Sequence, residues 1–308
     1  MSSMNTADIQ PISLSLIDTD LPAAATAFGD AFTRTGFAIV SDHGIPQVVL
    51  KRAQGAAKAL FALSPRAKSA YARPGGQRGY TPFAKETAKA APTADLKEFW
   101  HIGRELTDEH PGSPLMPPNI WPWEWPDFRP ATLALYEALD AVGLRLLRAI
   151  AVHLGQPADF LDKAVQDGNS ILRLLHYPPL KIVPQNALRA AAHEDINVIT
   201  LLPPTEEPGL QLQNRNGDWQ HVAAPPDCLI VNIGDMLARL SGGRLPSTTH
   251  RVINPASIEQ GRARYSIPFF LHFRPDYLIS PLPGGPERQP PITADAFLQE
   301  RLRDIGLL

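Results

Sequence analysis

The chain has 308 residues with 29 Lys and Arg, 31 Asp and Glu, and a single cysteine, Cys228. One cysteine excludes an intrachain disulfide and a thiolate metal cluster, and a formal charge of −2 gives no reason to expect a nucleic-acid partner. Proline is abundant at 32 residues. Because proline breaks helices and strand ladders, we expect many short elements separated by turns.

The first half of the chain has mainly helical spacing. Apolar residues recur at helical positions over residues 21–35 and 46–63, and a short strand is predicted over 36–40 between them. Residues 73–93 mix Gly, Pro and Lys without periodicity, which predicts a long irregular loop. A long amphipathic helix is predicted over about 131–154. Its charged residues exclude a membrane span. The polar opening residues lack a secretory pattern, so we expect a cytoplasmic protein without a membrane partner.

After a short predicted helix near 159–166, the apolar pattern changes to two-residue alternation. The predicted strands cover residues 171–177, 191–202, 210–213, 219–223, 229–233, 248–253 and 265–273. Asn216-Gly217 predicts a hairpin turn between two of them. Several short strands at this spacing indicate a sandwich or a barrel, and we favour a double-sheet jelly roll. A last helix is predicted near 294–305.

Three residues in this strand-rich half form a candidate metal site. His193 and Asp195 lie two positions apart in a predicted strand, so strand alternation places them on one face. His250 is the best placed of the other histidines to supply a third ligand. Two histidines and one carboxylate suit a non-haem Fe(II) oxygenase. The competing interpretation of the triplet alone is chance, with a histidine that packs in the core.

A carboxylate anchor is predicted close to this metal site. Arg264 and Ser266 are also two positions apart on a predicted strand, so the guanidinium and the hydroxyl face the same way. Arginine binds a carboxylate through two parallel hydrogen bonds. Tyr177 could add its hydroxyl, or it could simply pack at a strand end. A metal triad beside a carboxylate anchor is what a chelating keto acid requires.

Five segments match, in order, the signatures of a known family. They are residues 173–179 (RLLHYPP), 192–202 (AHEDINVITLL), 225–237 (PPDCLIVNIGDML), 246–255 (PSTTHRVINP) and 264–270 (RYSIPFF). The chain resembles the isopenicillin-N-synthase-like family of Fe(II)/2-oxoglutarate-dependent dioxygenases, and residues 36–46 resemble that family's N-terminal domain. The resemblance extends over about residues 10 to 300.

The resemblance implies an α+β protein with a mostly β core, a distorted double-stranded β-helix (jelly roll) with flanking helices. It implies that His193, Asp195 and His250 bind Fe(II), that Arg264 and Ser266 hold the distal carboxylate of 2-oxoglutarate, and that Tyr177 assists them. The expected division is an N-terminal region over 1–130, a connecting helix over 131–167, the oxygenase core over 168–280 and a C-terminal helix over 281–308.

The expected reaction uses Fe(II), 2-oxoglutarate and O2 to oxidise a small molecule, with release of succinate and CO2. Hydroxylation is the expected outcome, and desaturation or ring formation stays open. The alternatives are an isopenicillin-N-synthase-type or ethylene-forming oxidase, and a silent binding module on the same fold. The sequence leaves the substrate and the oligomeric state open.

Two positions depart from the family pattern, and further residues concern specificity. The family often has Asn where this chain has Leu175, so His176 either replaces the contact that the asparagine would make to the keto acid or only packs. The side chain of Asn197 either reaches toward the substrate or hydrogen-bonds along the strand surface. Phe270 and Leu175 are expected to line the pocket, with core packing as the plainer role. Arg78, Tyr80, Lys85 and residues 98–101 could close over the pocket mouth, or could be a solvated loop.

Overall fold

The computed structural model describes residues 5–73, 75–87, 93–179, 187–205, 207–255, 262–287 and 289–304. The fold is a double-stranded β-helix with flanking helices, which confirms the expected fold class. The strands are β1 Pro11–Ser13, β2 Phe37–Ser41, β3 Gly79–Thr81, β4 Glu98–Gly103, β5 Ile171–Tyr177, β6 Ala190–His193, β7 Ile199–Leu202, β8 Leu210–Gln213, β9 Trp219–His221, β10 Leu229–Ile233, β11 His250–Val252, β12 Arg264–Ser266, β13 Phe269–Leu271, β14 Leu278–Ile279 and β15 Ile292–Thr293. The helices are α1 Leu16–Thr19, α2 Leu21–Thr35, α3 Gln47–Ala62, α4 Pro65–Ser69, α5 Phe128–His153, α6 Asp162–Val165, α7 Asp235–Leu240 and α8 Ala294–Asp304.

The strands form a large sheet, a small sheet and a two-stranded ribbon. The large sheet has the order β1-β2-β10-β7-β13-β5-β4-β3, with β12 also paired to β5; the small sheet has the order β6-β11-β8-β9. Strands β1 to β4 come from the first 130 residues and hydrogen-bond within the large sheet. The N-terminal region therefore contributes directly to the large sheet, and the division into four regions stays a prediction.

The predicted helices of the first half are confirmed as α2, α3 and α5. The side chain of Asp20 accepts a hydrogen bond from the backbone N–H of Ala23 and caps the start of α2. Gly36 ends that helix at φ 72°, a left-handed conformation that glycine adopts without strain. Helix α5 packs against both α2 and α3. Among the described helices, none is long and apolar enough to cross a lipid bilayer.

The single strand predicted over 191–202 is wrong, because the structure has two strands there, β6 and β7, in different sheets. Residues 194–198 cross between the sheets. The backbone carbonyls of Asp195 and Asn197 accept hydrogen bonds from the N–H groups at the start of α7 instead of from a neighbouring strand. Asp195 thus lies beyond the end of β6, so strand alternation is not what brings it to the side of His193.

The strand predicted over 265–273 is also divided, into β12 and β13. Pro268 lies at the break and has no N–H to donate to a ladder. In the region predicted as an irregular loop, residues 79–81 form β3, while residues 74 and 88–92 lie outside the described residues. Residue 305, the predicted end of the last helix, also lies outside them.

Two buried clusters position the site. The larger is an apolar core that includes residues of α2, α3, α5 and the large sheet. The smaller contains Phe99, Leu175, Tyr177, Leu210 and Val252, which come from both sheets. Because successive side chains of a strand point to opposite faces, β5 directs Leu172 and Leu174 into the larger core and Leu175 and Tyr177 into the smaller cluster.

Candidate metal and keto-acid site

The structure brings His193, Asp195 and His250 together. One ligand atom from each lies within 4.8 Å of the others. Oδ1 of Asp195 is 3.8 Å from Nε2 of both His193 and His250. Strands β6 and β11 pair with His193 opposite His250, so the two imidazoles are cross-strand neighbours. Among the described residues, this is the group of three or more His, Cys, Asp or Glu that could hold a metal ion.

Backbone carbonyls fix the tautomer of both histidines. Nδ1 of His193 lies 2.7 Å from the carbonyl oxygen of Ala191, and Nδ1 of His250 lies 3.1 Å from that of Thr248. A carbonyl oxygen only accepts, so each Nδ1 carries the proton and donates it. Each Nε2 is left as a lone pair directed toward Asp195, which is the form that binds a metal ion.

The carboxylate of Asp195 is held by its other oxygen. Oδ2 accepts hydrogen bonds from Thr200 Oγ1 at 2.5 Å and Asn232 Nδ2 at 2.8 Å. Burial alone would raise the pKa of this carboxyl, but the nearby imidazoles of His250 and His193 and the two hydrogen bonds outweigh burial and lower it. Asp195 therefore stays ionised with Oδ1 facing the histidines.

Electrostatics also favour the neutral form of His193. Burial, followed by the neighbouring His250, lowers the pKa of His193 to about 4. A neutral imidazole at physiological pH needs no deprotonation before it binds a metal. The rings of His250 and Phe37 of β2 form a T-shaped contact with centroids 5.7 Å apart, so the N-terminal region supports a residue of the candidate site.

The residues expected to bind a keto acid also lie together. Arg264 pairs with Tyr177 and Ser266 with Leu175 across β12 and β5, so all four share one face of the sheet. Arg264 is 2% exposed, and its guanidinium carbon lies 5.2 Å from the centroid of the Tyr177 ring. Burial lowers the pKa of Arg264, because the charged guanidinium is disfavoured away from water.

The donor set of this anchor fits a carboxylate. Nε of Arg264 donates to the carbonyl of Glu207 at 3.2 Å. Its Nη1 is buried and has no hydrogen-bond partner among the described residues. A buried guanidinium N–H without an acceptor is costly, and an anionic oxygen would satisfy it. The side chains present therefore suit the distal carboxylate of 2-oxoglutarate.

A cavity of about 1070 Å³ opens beside the triad. Its lining includes His193, Asp195, Phe99, Arg173 and Phe270. Phe270 thus lies where it was expected. Leu175 belongs to the small apolar cluster with Tyr177. The volume is enough for a small organic substrate.

A buried polar network forms one wall of the cavity. The guanidinium carbon of Arg173 lies 4.3 Å from the ring centroid of Phe99 and 5.1 Å from that of Phe270. Its Nε donates to Nε2 of His101 at 2.6 Å, and Nη1 donates to Glu86 at 3.3 Å. Burial and the charge of Arg173 lower the pKa of His101 well below its usual value, so the ring is neutral and accepts this bond.

The same network continues through Lys97. Its Nζ lies 2.6 Å from a carboxylate oxygen of Glu86 and 2.8 Å from one of Asp95. Asp95 in turn accepts a hydrogen bond from the backbone N–H of Ala191 at 2.9 Å, two residues before His193. The cavity wall and the segment that carries His193 are thus joined by hydrogen bonds.

Several residues expected near the pocket have other contacts. His176 faces the opposite side of β5, where it bonds Glu98 at 2.7 Å and stacks on Phe61 and Tyr265. It packs and does not replace the family's asparagine. Tyr80 also bonds Glu98. Arg78, Tyr80 and Lys85 line the cavity, and within 98–101 the cavity-lining side chains are Phe99 and His101.

Sequence reasoning missed the polar wall. Arg173 lies inside a recognised motif, and residues 95–98 carry three charges before an apolar pair, yet no spacing rule joins them to Glu86. The signal that could have found them is a set of charged residues in otherwise apolar strand patterns, since buried charges occur in pairs or at functional sites. Asn197 bonds Ile199 and Thr200, so it supports the side chain that holds Asp195.

Comparison with known families gives matches over most of the chain. Residues 7–124 match the model described as non-haem dioxygenase in morphine synthesis N-terminal, and residues 168–273 match the 2OG-Fe(II) oxygenase superfamily. A 2-oxoglutarate-Fe(II) type oxidoreductase, hxnY of Emericella nidulans, is 34% identical over 281 residues, which are 86% of this chain and 79% of the relative. The chain belongs to the 2OG-Fe(II) oxygenase superfamily.

Solved structures of this superfamily agree with the fold. A protein of Caulobacter crescentus assigned to the 2OG-Fe(II) oxygenase family is 49% identical, with a TM-score of 0.90 over 98% of this chain and 100% of that one. A full-length Neurospora crassa protein, determined in complex with alpha-KG and thymine, is 29% identical, with a TM-score of 0.84 over 98% of both chains. The chain is therefore a 2-oxoglutarate-dependent dioxygenase that uses Fe(II) and O2, as the sequence resemblance implied.

Proposed function

We propose that His193, Asp195 and His250 bind the Fe(II), and that Arg264, Ser266 and Tyr177 bind the distal carboxylate of 2-oxoglutarate. The observation that carries the proposal is the convergence of two imidazole Nε2 atoms on one carboxylate oxygen at 3.8 Å, beside a large cavity. Two His and one carboxylate are the ligand set of non-haem Fe(II) oxygenases.

The residues of this chain perform three tasks in the proposed reaction. When bound, iron and 2-oxoglutarate supply the oxidant, with succinate and CO2 as the products of the keto acid. Arg264 and Ser266 orient the keto acid from its distal end. Phe99 and Phe270 give the cavity apolar surfaces, and the stacked Arg173 offers a positive charge to a polar group of the substrate.

The proposed outcome is hydroxylation of a small molecule that enters the cavity. Names of relatives that include 2-oxoglutarate favour this over an oxidase with different cosubstrate use. Thymine is one candidate for a substrate screen, because the similar Neurospora crassa protein was determined in complex with it. The cytoplasmic location stays a prediction that cell fractionation can check.

Succinate formation tests the proposal. The purified protein is incubated with Fe(II), ascorbate, O2 and 2-oxoglutarate, with and without candidate substrates, and succinate and oxidised product are measured. We expect substrate-dependent succinate release that His250→Ala and Asp195→Ala abolish. Arg264→Gln should bind metal normally but need much more 2-oxoglutarate. Wild-type turnover by His250→Ala, or an unchanged 2-oxoglutarate requirement in Arg264→Gln, would refute the assignment of these residues.

A further inference from the structure

A second buried arginine lies beside the proposed keto-acid anchor. Arg189 is 2% exposed, and it precedes β6, the strand that carries His193. Its guanidinium carbon lies 6.0 Å from the centroid of the Tyr177 ring, against which Arg264 lies at 5.2 Å. Two guanidinium groups thus lie close to one phenol ring.

The charges around this ring do not balance among the described residues. Burial, followed by the positive charge of Arg264, lowers the pKa of Arg189. Glu207 is the carboxylate that acts on both arginines within the part of the chain that the structure describes. One negative charge against two positive charges leaves an excess cation in a buried position, which is costly unless an anion joins it.

Each arginine donates one hydrogen bond to a backbone carbonyl and keeps another buried N–H group without an acceptor among the described residues. Nη2 of Arg189 donates to the carbonyl of Arg262 at 2.7 Å, as Nε of Arg264 does to the carbonyl of Glu207 at 3.2 Å. Nε of Arg189 and Nη1 of Arg264 are buried, and neither has a hydrogen-bond partner in the described part of the chain. An anionic oxygen next to the Tyr177 ring is the acceptor that such a donor lacks, and a carboxylate also brings the missing negative charge.

We propose that Arg189 is a second binding residue for the distal carboxylate of 2-oxoglutarate, acting together with Arg264. The inference rests on the proposed function, in which Arg264, Ser266 and Tyr177 bind that carboxylate. It goes beyond the ArgXSer motif, because Arg189 precedes a strand of the small sheet whereas Arg264 lies in the large one. Its consequence is cosubstrate selectivity: a keto acid without a distal carboxylate leaves the excess positive charge uncompensated, so the pocket discriminates strongly against it.

The competing role is structural, with Arg189 only tying the chain before β6 to the carbonyl of Arg262. The two roles differ in what they predict. A structural arginine stabilises the protein without ligand and affects every keto acid equally. A carboxylate-binding arginine is a repulsive neighbour of Arg264 without ligand and affects 2-oxoglutarate selectively.

The experiment measures keto-acid binding to the full chain loaded with Mn(II) under anaerobic conditions. Calorimetry compares 2-oxoglutarate with 2-oxobutyrate, which has the same chelating end and no distal carboxylate. We expect Arg189→Gln to weaken 2-oxoglutarate binding by about 10–100-fold, the loss of a hydrogen bond to a charged group. Binding of 2-oxobutyrate should stay within about twofold, since that ligand does not use the charge.

Arg244→Gln is the matched control. Arg244 also donates to backbone carbonyls, those of Ser241 and Leu154, but outside the keto-acid pocket. It should leave both Kd values unchanged. Arg189→Lys keeps the charge without the planar fork and should weaken 2-oxoglutarate binding less than Arg189→Gln does. The lysine variant provides the test if the glutamine variant does not fold.

Thermal unfolding gives a second readout. Without keto acid, Arg189→Gln should unfold at no lower temperature than wild type, while the rise in Tm on adding 2-oxoglutarate should be smaller. Unchanged 2-oxoglutarate binding in both Arg189 variants, or equal weakening of both keto acids, would overturn the inference. If Arg264→Gln weakens 2-oxoglutarate binding and Arg189→Gln does not, the proposed function stands and the inference about Arg189 fails. If Arg264→Gln binds as wild type does, both fail.

Discussion

Thr200 is predicted to set the affinity of the site for its metal without touching the metal. Its hydroxyl accepts a hydrogen bond from Asn197 Nδ2 at 3.0 Å and donates one to Oδ2 of Asp195 at 2.5 Å. Because Asn197 occupies an acceptor position, the hydroxyl proton is directed to the carboxylate. Oδ1 then faces His193 and His250 in a fixed orientation.

Thr200→Val removes the hydroxyl and keeps the shape of the side chain. Asn232 still holds Oδ2 at 2.8 Å, so the carboxylate loses one of two constraints. Loss of a residue that orients a metal ligand costs about 10–100-fold in metal affinity. That corresponds to about 1.4–2.7 kcal/mol. We therefore expect the Kd for Mn(II) to rise by this factor, with a larger rise when Asn232→Ala is added.

Calorimetric titration with Mn(II) under anaerobic conditions measures this change. Thr132→Val is the matched control, because the Thr132 hydroxyl is also buried and donates to the carbonyl of Phe128 at 2.8 Å, inside α5. Its Mn(II) affinity should equal that of the wild type. Wild-type affinity in Thr200→Val, or an equal loss in Thr132→Val, would refute the idea that hydrogen bonds to Oδ2 orient the ligand.

Three further predictions concern stability. Glu98→Gln breaks a buried ion pair with Lys68, whose Nζ lies 2.7 Å away, and should lower the free energy of unfolding by about 3–5 kcal/mol in urea titrations, whereas an unchanged midpoint would contradict this. The difference in unfolding free energy between wild type and Glu98→Gln should shrink as the pH falls below about 4, and a difference that does not change with pH would contradict this expectation. Burial alone would raise the pKa of Glu98, but its hydrogen bonds with His176, Lys68 and others outweigh burial, so the pKa is lower in the folded than in the unfolded protein. The ionised carboxylate therefore stabilises the fold above the unfolded pKa, and this stabilisation is lost as the pH falls through the folded pKa. Gly168→Ala should lower the free energy of unfolding by about 1–3 kcal/mol, because a Cβ there would lie 2.1 Å from the carbonyl oxygen of His272. A variant that unfolds at the wild-type Tm would contradict this expectation.

The grouping of the candidate site residues could be predicted from the sequence, but the reason for their proximity could not. Two-residue alternation correctly placed Arg264 and Ser266 on one face, because β12 is a regular strand. The same rule predicted that His193 and Asp195 lie together, which they do, but it relied on a strand that ends at His193. Ile196 and Val198 alternate with polar residues through the crossover at 194–198, so periodicity does not distinguish this segment from a strand.

The polar wall was beyond sequence reasoning for a different reason. Strand β4 is buried on both faces, so its charged and apolar residues show no alternation that marks an edge or a face. The buried ion pairs in and around this strand join residues that are distant in sequence: Glu86 pairs with Arg173, and Lys68 pairs with Glu98. Such contacts depend on how the sheet is assembled, and local propensity carries no information about them.

The buried ion pair on the outer face of β4 has a consequence for the cavity on the inner face. Glu98 bonds Lys68 and His176 on one side of the sheet, while Phe99 and His101 line the cavity on the other. Because side chains alternate, a one-residue slip of β4 would place Glu98 in the cavity and Phe99 among the charges. Such a slip would leave Lys68 without its carboxylate. The ion pair therefore selects the register that presents Phe99 and His101 to the cavity.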